Sequence, residues 1–340
     1  MPRIFCPGEY PMSYEETYTP ESVAEAVKQY DGVKRKQAIG RLVKALEIEN
    51  PDVVAAYGED AAVIRQGHTA LLLAADGIWN QLMDVDPYWA GYCAILVNVH
   101  DIAAMGGRPV AMVDVLSASS DALMAQVSAG MHDAAVAFDV PIVGGHLHPD
   151  APYNVIDVSI LGVADIDNII YSSRAAPGNV ILCAMDLNGR VHPSAKMNWD
   201  CVTMKTPEVL RKQIAVMKEL AEHHLVTAGK DISNPGILGT LGMLLEASNA
   251  GAEVDLTAIP RPDLDAVNVP FEQWVRMYPG MAFILTVEPD AVEKVCRAFR
   301  KTGMACQQIG RVNDSHSLVI AKGDAKTTLF NFHSSGITNI

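Results

Sequence analysis

The segment "YWAGYCAILVNVHDIAAMGG", residues 88–107, constrains the chain more than any other. It is long enough for a helix, is apolar along most of its length and stops at Gly106 and Gly107, which suit a helix C-cap. Inside it stand Asn98 and Asp101. A carboxylate in so apolar a run either caps a buried helix or reaches out of it to hold something charged. The strand-like run "RPVAMVDVLSA" follows directly.

A chain of 340 residues, 49% of them hydrophobic, can build one large or two ordinary domains. A net charge of -14 argues against nucleic acid as the main partner, because phosphate backbones need a basic surface. It does not exclude a nucleotide, whose phosphates carboxylates can hold through bridging Mg²⁺. Six cysteines with no CxxC pair read as buried thiols of a reducing compartment, not as a zinc cage or disulfide scaffold. The start lacks the apolar core of a signal peptide, and no run approaches the ~20 apolar residues of a membrane span. The expectation is a cytoplasmic protein with neither membrane nor nucleic acid as partner.

"TPESVAEAVKQY" predicts a helix capped by Thr19 with Pro20 in its first turn, and a second helix follows through Ile39, Leu42, Val43 and Leu46. "AAVIRQGHTALLLAADG" predicts a hairpin. Strands and helices then alternate to residue 168 and again from "AAPGNVILCAMDL", so each half reads as its own α/β layer structure, with a seam near 168–178. Neither a Rossmann GxGxxG after the first strand nor a GxxxxGK[ST] occurs.

Four turns at the edges of apolar elements carry candidate chemistry: Glu59 and Asp60 in "YGEDAAVI", Asp76 in "LLLAADGIW", Asn98 with Asp101, and Asp231, Ser233 and Asn234 in "GKDISNPGILG". Singly each has a structural reading, Asp before Gly as a turn and Asn234 before Pro235 as an N-cap. Jointly, carboxylates at strand ends and helix starts suit a hard, oxygen-ligated cation.

In that order, "GED", "AADG", "NVHDIAAMGGRP", "IVGGH" and "DISNPG" resemble the superfamily of aminoimidazole ribonucleotide (AIR) synthetase, thiamine-monophosphate kinase and selenophosphate synthetase. "DISNPGILGTLGMLLE" is most similar to the group called methanogenesis marker protein 2. The resemblance implies an α/β (α+β) chain with the two-domain AIR synthase-like (PurM-like) fold. Its N-terminal sheet would form a barrel in a homodimer, with an α/β sandwich behind it. The expected division is an extension over 1–50, an N-terminal domain over 51–168 and a C-terminal domain over 176–325.

The resemblance also implies ATP and Mg²⁺. It makes Asp60, Asp76, Asp101 and Asp231 metal ligands, with Asp101 at an exposed helix edge while Ala103, Ala104 and Met105 pack. Gly144, Gly145 and Ser233 would contact the nucleotide. Arg174 would serve where the kinase's arginine aligns with Ser172. This chain departs from the kinase by His146 and Asn234 in place of acids and by Ala74 and Ala75 in place of Ser-Thr, so thiamine phosphate is not the expected substrate. His146, on the same strand face as His148, becomes the candidate for phosphate contact and proton transfer. The polar loop with Arg190, His192, Lys196 and Asp200 is a second place for substrate contacts. The implied function is Mg²⁺-dependent phosphoryl transfer from ATP to an unidentified small molecule. The competing class is a nucleotide-binding regulatory or assembly protein without turnover.

Overall fold

The computed structural model describes residues 17–46 and 48–340. The extreme N-terminal run and Cys6 lie outside the described residues. The first helices are α1 (Pro20–Gln29), α2 (Asp31–Lys34) and α3 (Ile39–Leu46). Thr19 caps α1 as expected, in a reciprocal box with Ser22, and Val23, Ala24 and Val27 form its buried stripe.

A six-stranded sheet follows: β1 (Val53–Ala55), β2 (Ala62–Gln66), β3 (Thr69–Ile78), β4 (Arg108–Ser117), β5 (Ile142–His148) and β6 (Val155–Asp165), in the order β1-β2-β3-β6-β4-β5. The predicted hairpin is β2–β3, with Gly67 at φ +65° in its turn. Between β3 and β4 run α4 (Asn80–Val85) and α5 (Pro87–Ala104); α6 (Asp121–Phe138) makes the crossover that the parallel β4–β5 pair requires.

Helix α5 is the apolar run itself. Asp86 caps it by accepting from Trp89 N at 3.1 Å, and Gly106, at φ +76°, ends it. Fifteen of its eighteen residues are buried, so it is a core helix and not a surface one. It packs on β3, β6, α6 and the second sheet's strand β10 (Ala228–Asp231). Ala70, Leu72 and Ala74 of β3 and Ile156, Val158 and Ile160 of β6 face it, and Ala103, Ala104 and Met105 pack as expected. Each fully buried aliphatic side chain of this kind contributes ~1.5–3 kcal/mol.

The period of two leaves the other sheet face open, with Leu73, Val113, Val115, Val143 and Leu147 all exposed. The second sheet has the order β10-β12-β7-β13-β11-β14-β15. Its strands are β7 (Val180–Met185), β10, β11 (Gly251–Asp255), β12 (Ala282–Val287), β13 (Ala305–Asn313), β14 (Ser317–Lys322) and β15 (Ala325–Asn331); β8 (Arg190–Val191) and β9 (Trp199–Asp200) pair apart from it. Helices α7 (Pro207–Glu222), α8 (Gly236–Ala247), α9 (Phe271–Trp274) and α10 (Val292–Arg300) complete the fold. Strands β7 and β12 are buried throughout. The five described cysteines are free and buried. Among the described residues no helix is long and apolar enough to cross a membrane.

Two local readings change. Asn234 is not the N-cap of α8: Pro235 holds that position, the turn closes by Gly236 N donating to Ser233 O at 2.9 Å, and Asn234 Oδ1 is buried without a partner. Asp101 is half-buried and not at an exposed edge, because the second sheet covers that side of α5.

Helices α5 and α6 cross so closely that a Cβ on Gly91 would meet the Val127 carbonyl, and one on Gly130 the Tyr88 carbonyl. Gly130→Ala should therefore lower the urea unfolding free energy by ~1–3 kcal/mol, although alanine gains ~1 kcal/mol in helix propensity. A stabilised variant would show that the crossing has slack.

Candidate functional site

Asp101 leaves α5 toward β10, whose last residue is Asp231, and Asp60 arrives on the turn before β2. One carboxylate oxygen from each of the three lies within 4.8 Å of the other two. Three devices hold them in place. Ala61 N donates to the Met105 sulfur at 3.0 Å, which pins the Asp60 turn to the end of α5. Lys230 Nζ donates to Asp60 Oδ1, with both side chains almost wholly buried. Asn98, fully buried, accepts from Asp76 N at 3.2 Å and donates to Asp76 O at 3.3 Å and Ala94 O at 2.8 Å, locking β3 to α5 beside the cluster.

The three carboxylates, with Asp76, Ser233 and Lys36, line a cleft of about 830 Å³ between the two sheets, ample for a nucleotide-sized ligand. Asp76 meets solvent there while its own Oδ1 accepts from Gly77 N at 2.9 Å. Glu59, also part of the cleft lining, accepts from Ser172 N at 2.5 Å and Ser173 Oγ at 2.6 Å, so it ties the halves together.

The electrostatics are those of acids crowded in a confined space. Burial, and then the neighbouring Asp231 and Asp76, push the Asp101 carboxyl well above the usual range; Lys36 pulls the other way. Burial raises Asp231 to about 6 although Lys230 opposes it, and confinement raises Asp76 against the pull of Lys36. Burial draws Lys230 down to about 8, against the attraction of Asp231. Asp60 Oδ2 and Asp231 Oδ1 are buried without a hydrogen-bond partner among the described residues. Orphaned carboxylate oxygens are costly to leave so. An all-oxygen donor set fits a hard divalent cation better than a soft one.

Asp60, Asp76, Asp101, Asp231 and Ser233 thus share one cleft. The other expected contacts do not. Gly144, Gly145 and His146 lie on edge strand β5, three strands from β3 and so ~14 Å across the sheet. His146 and His148 do share a face, ring centroids 4.6 Å apart, and both are exposed. Arg174 is exposed and stacks 3.9 Å over the Tyr171 ring, outside the cleft lining. Ser172 is buried, donating to Gly229 O at 3.1 Å. The 190–200 loop is knit to itself: Arg190 donates to Asp200 Oδ2 at 3.1 Å, and Thr203 Oγ1 donates to the same oxygen at 2.6 Å. Burial would raise the Asp200 pKa, yet the bonds from Thr203, Val202 N and Arg190 bring it below the ordinary value.

Sequence reasoning missed the two cleft lysines. Lys230 stood beside Asp231 in "GKD", and the alternation of a strand should have placed them apart. Lys36, on a single turn (Arg35–Ala38) before α3, had no motif to mark it. It missed Glu246 too, which accepts from Ile337 N, Thr338 N and Asn339 N and so seats the chain's last residues at the cleft, where Thr338 and Ile340 join the lining.

A two-sheet α/β protein with carboxylates converging between its sheets is the class these features define. The chain belongs to the AIR synthase related family: the N-terminal domain profile of that family matches residues 58–164 and the C-terminal one residues 177–322. It is 40% identical over 323 residues to an uncharacterised protein of Methanocaldococcus jannaschii, covering 93% of this chain and 98% of that one. It is 38% identical over 281 residues to an uncharacterised protein of Synechocystis, covering 83% and 85%.

Among solved structures, Thermotoga maritima PurL complexed with ATP superposes with a TM-score of 0.74 at 18% identity, covering 93% of this chain and 52% of that one. The chain therefore spans about half of PurL. Thiamine-monophosphate kinase from Stenotrophomonas maltophilia superposes with a TM-score of 0.60 at 20% identity, covering 85% and 96%. At these identities the likeness establishes the fold.

The crowded carboxylates make a sign-specific prediction. Raised in the folded state, the Asp101 and Asp231 pKa values contribute stability that is complete below pH ~4, where these acids are protonated even in the unfolded chain. That contribution is lost as pH rises through the folded-state values, about 6 for Asp231. Asp101→Asn removes one charge, so in EDTA it should raise the melting temperature by a few degrees at pH 7.5 and leave it nearly unchanged at pH 4.5. An equal loss at both pH values would show instead that Asp101 is a structural carboxylate.

Proposed function

We propose that the chain is an enzyme that transfers the γ-phosphoryl group of ATP to a small-molecule acceptor, with Mg²⁺ held by Asp60, Asp101 and Asp231. The observation that carries this reading is the convergence of those three carboxylates, two with orphaned oxygens, in a cleft large enough for a nucleotide. Relatives support it: T. maritima PurL is described in complex with ATP, and a kinase shares the fold. Bound Mg²⁺ would neutralise charge on the phosphates and on the transferring group. The chain's own part is positional. Asn98 and Met105 fix Asp76 and Asp60 on the rigid helix α5, Lys230 holds Asp60 in place, and Lys36 brings a cation from the N-terminal turn to the phosphate end of the cleft.

The open apolar face of the six-stranded sheet fits a homodimer, in which a second copy covers Leu73, Val113, Val115 and Val143. In this reading Gly144, Gly145 and His146 serve the partner copy's cleft, since within one chain they stand too far from Asp76. His146 would then contact phosphate or acceptor, and Arg174 would require rearrangement to reach a nucleotide.

MgATP should raise the melting temperature of the protein, ATP with EDTA should not, and Asp101→Asn should abolish the response. An unchanged melting curve at millimolar MgATP would remove the nucleotide from the reading. Stoichiometric binding without turnover on any acceptor would favour the regulatory alternative. Light scattering at micromolar concentration should give twice the monomer mass; a stable monomer would rule out the covered-face dimer.

A further inference from the structure

A second cavity, of about 240 Å³, lies at the end of the strand that carries Asp76, lined there by Ile78 and Trp79. Tyr30, Trp79 and Tyr278 supply its aromatic walls, Leu82 and Val85 its aliphatic ones, and Lys196 its one charged lining group among the described residues. Among the described residues no Asp or Glu lines it, in a chain whose net charge is -14. The Trp79 indole Nε1 is buried without an acceptor among the described residues, a cost that a ligand oxygen would relieve. Arg35 lies 4.5 Å over the Trp79 ring, and neither Arg35 nor Lys196 forms an ion pair among the described residues.

The cavity adjoins the carboxylate cleft by construction. Trp79 stands three residues after Asp76, and Lys36, which lines the carboxylate cleft, follows Arg35 directly on one turn. Helix α5 serves both: Cys93 lines this cavity and Asp101 the cleft, eight residues and so ~12 Å apart along the axis.

We propose that this cavity is the acceptor site and that the acceptor is a planar aromatic carboxylate. The aromatic walls would take its ring, and the Trp79 N–H and the Lys196 cation its anionic arm, with Arg35 adding positive charge from over the Trp79 ring. This deepens the phosphoryl-transfer reading and rests on it. A carboxylate oxygen attacks the γ-phosphorus of ATP, the new O–P bond forms as the bond to the β,γ-bridging oxygen breaks, and ADP leaves with that electron pair. The product is an acyl phosphate. Such an acceptor needs no general base, and among the described residues the lining has no carboxylate or histidine to act as one. Burial pushes the Tyr278 hydroxyl and the Cys93 thiol upward, so both stay protonated near neutrality. An acceptor alcohol would need a proton taken from it; a carboxylate does not.

The test uses the full chain and three probes of one shape: indole-3-carboxylate, indole-3-carboxamide and 3-(aminomethyl)indole, titrated by calorimetry with ligand-observed NMR for weak binding. The carboxylate should bind at least ten-fold more tightly than the amide, and the amine should not bind. Trp79→Phe, which keeps a ring but removes the donor, and Lys196→Glu, an exposed substitution, should each weaken the carboxylate at least ten-fold. Asp101→Asn should leave probe affinity unchanged while losing the response to MgATP. Equal affinity for the three probes, or indifference to both cavity variants, would overturn the assignment even where MgATP still binds. Carboxylate binding by a protein that never responds to MgATP would overturn the acceptor role and the phosphoryl-transfer reading together.

Discussion

Everything at the candidate site depends on helix α5 being buried on nearly every side. A helix wedged between two sheets cannot translate or turn without opening the core, so whatever it carries is fixed relative to both. The cost of carrying polar groups there is met locally. Asn98 satisfies both its N–H groups and its carbonyl within the core and clamps β3 in the same step. Asp101 is less well served: burial and the nearby Asp231 and Asp76 disfavour its charged form, and Lys36, in the same cleft lining, pulls the other way.

The arrangement trades stability for a place to hold charge. Acids whose pKa values are driven upward by burial and by one another destabilise the folded chain near neutrality, and a divalent cation at their oxygens reverses that penalty. The Lys230–Asp60 pair is a partial internal substitute, occupying one oxygen and leaving the other orphaned. Where the resemblance implied acids at His146 and Asn234, this chain has an imidazole and an amide, neither of which offers the carboxylate oxygens that Mg²⁺ prefers.

Much of this was legible in the sequence. The period-two and helical patterns located α1, the β2–β3 hairpin, α5 and β4, and the spacing of acids at element ends identified the residues that converge. What could not be read was distance across the fold. The resemblance implied that Gly144, Gly145 and His146 stand beside the phosphates, but strand order within a sheet cannot be read from the order of motifs, and β5 ends up at the sheet edge. Lys36 was invisible for a related reason: a lysine on a short turn has no periodic signature, and only packing brings it to the acids. Asn234 resembled an N-cap because Asn before Pro so often is one; the tight turn at Gly236, at φ +73°, moved the helix start past it.

The central claim is that Asp60, Asp101 and Asp231 together hold a divalent cation against the phosphates of a bound nucleotide. Its most direct test is a crystal of the protein grown with Mn²⁺ and a non-hydrolysable ATP analogue, with anomalous scattering recorded at the manganese edge. Expected is at least one manganese peak in contact with oxygens of all three carboxylates and with phosphate oxygens of the analogue. Nucleotide bound in the cleft with no manganese at these residues, or manganese bound to them with the nucleotide elsewhere, would contradict the claim.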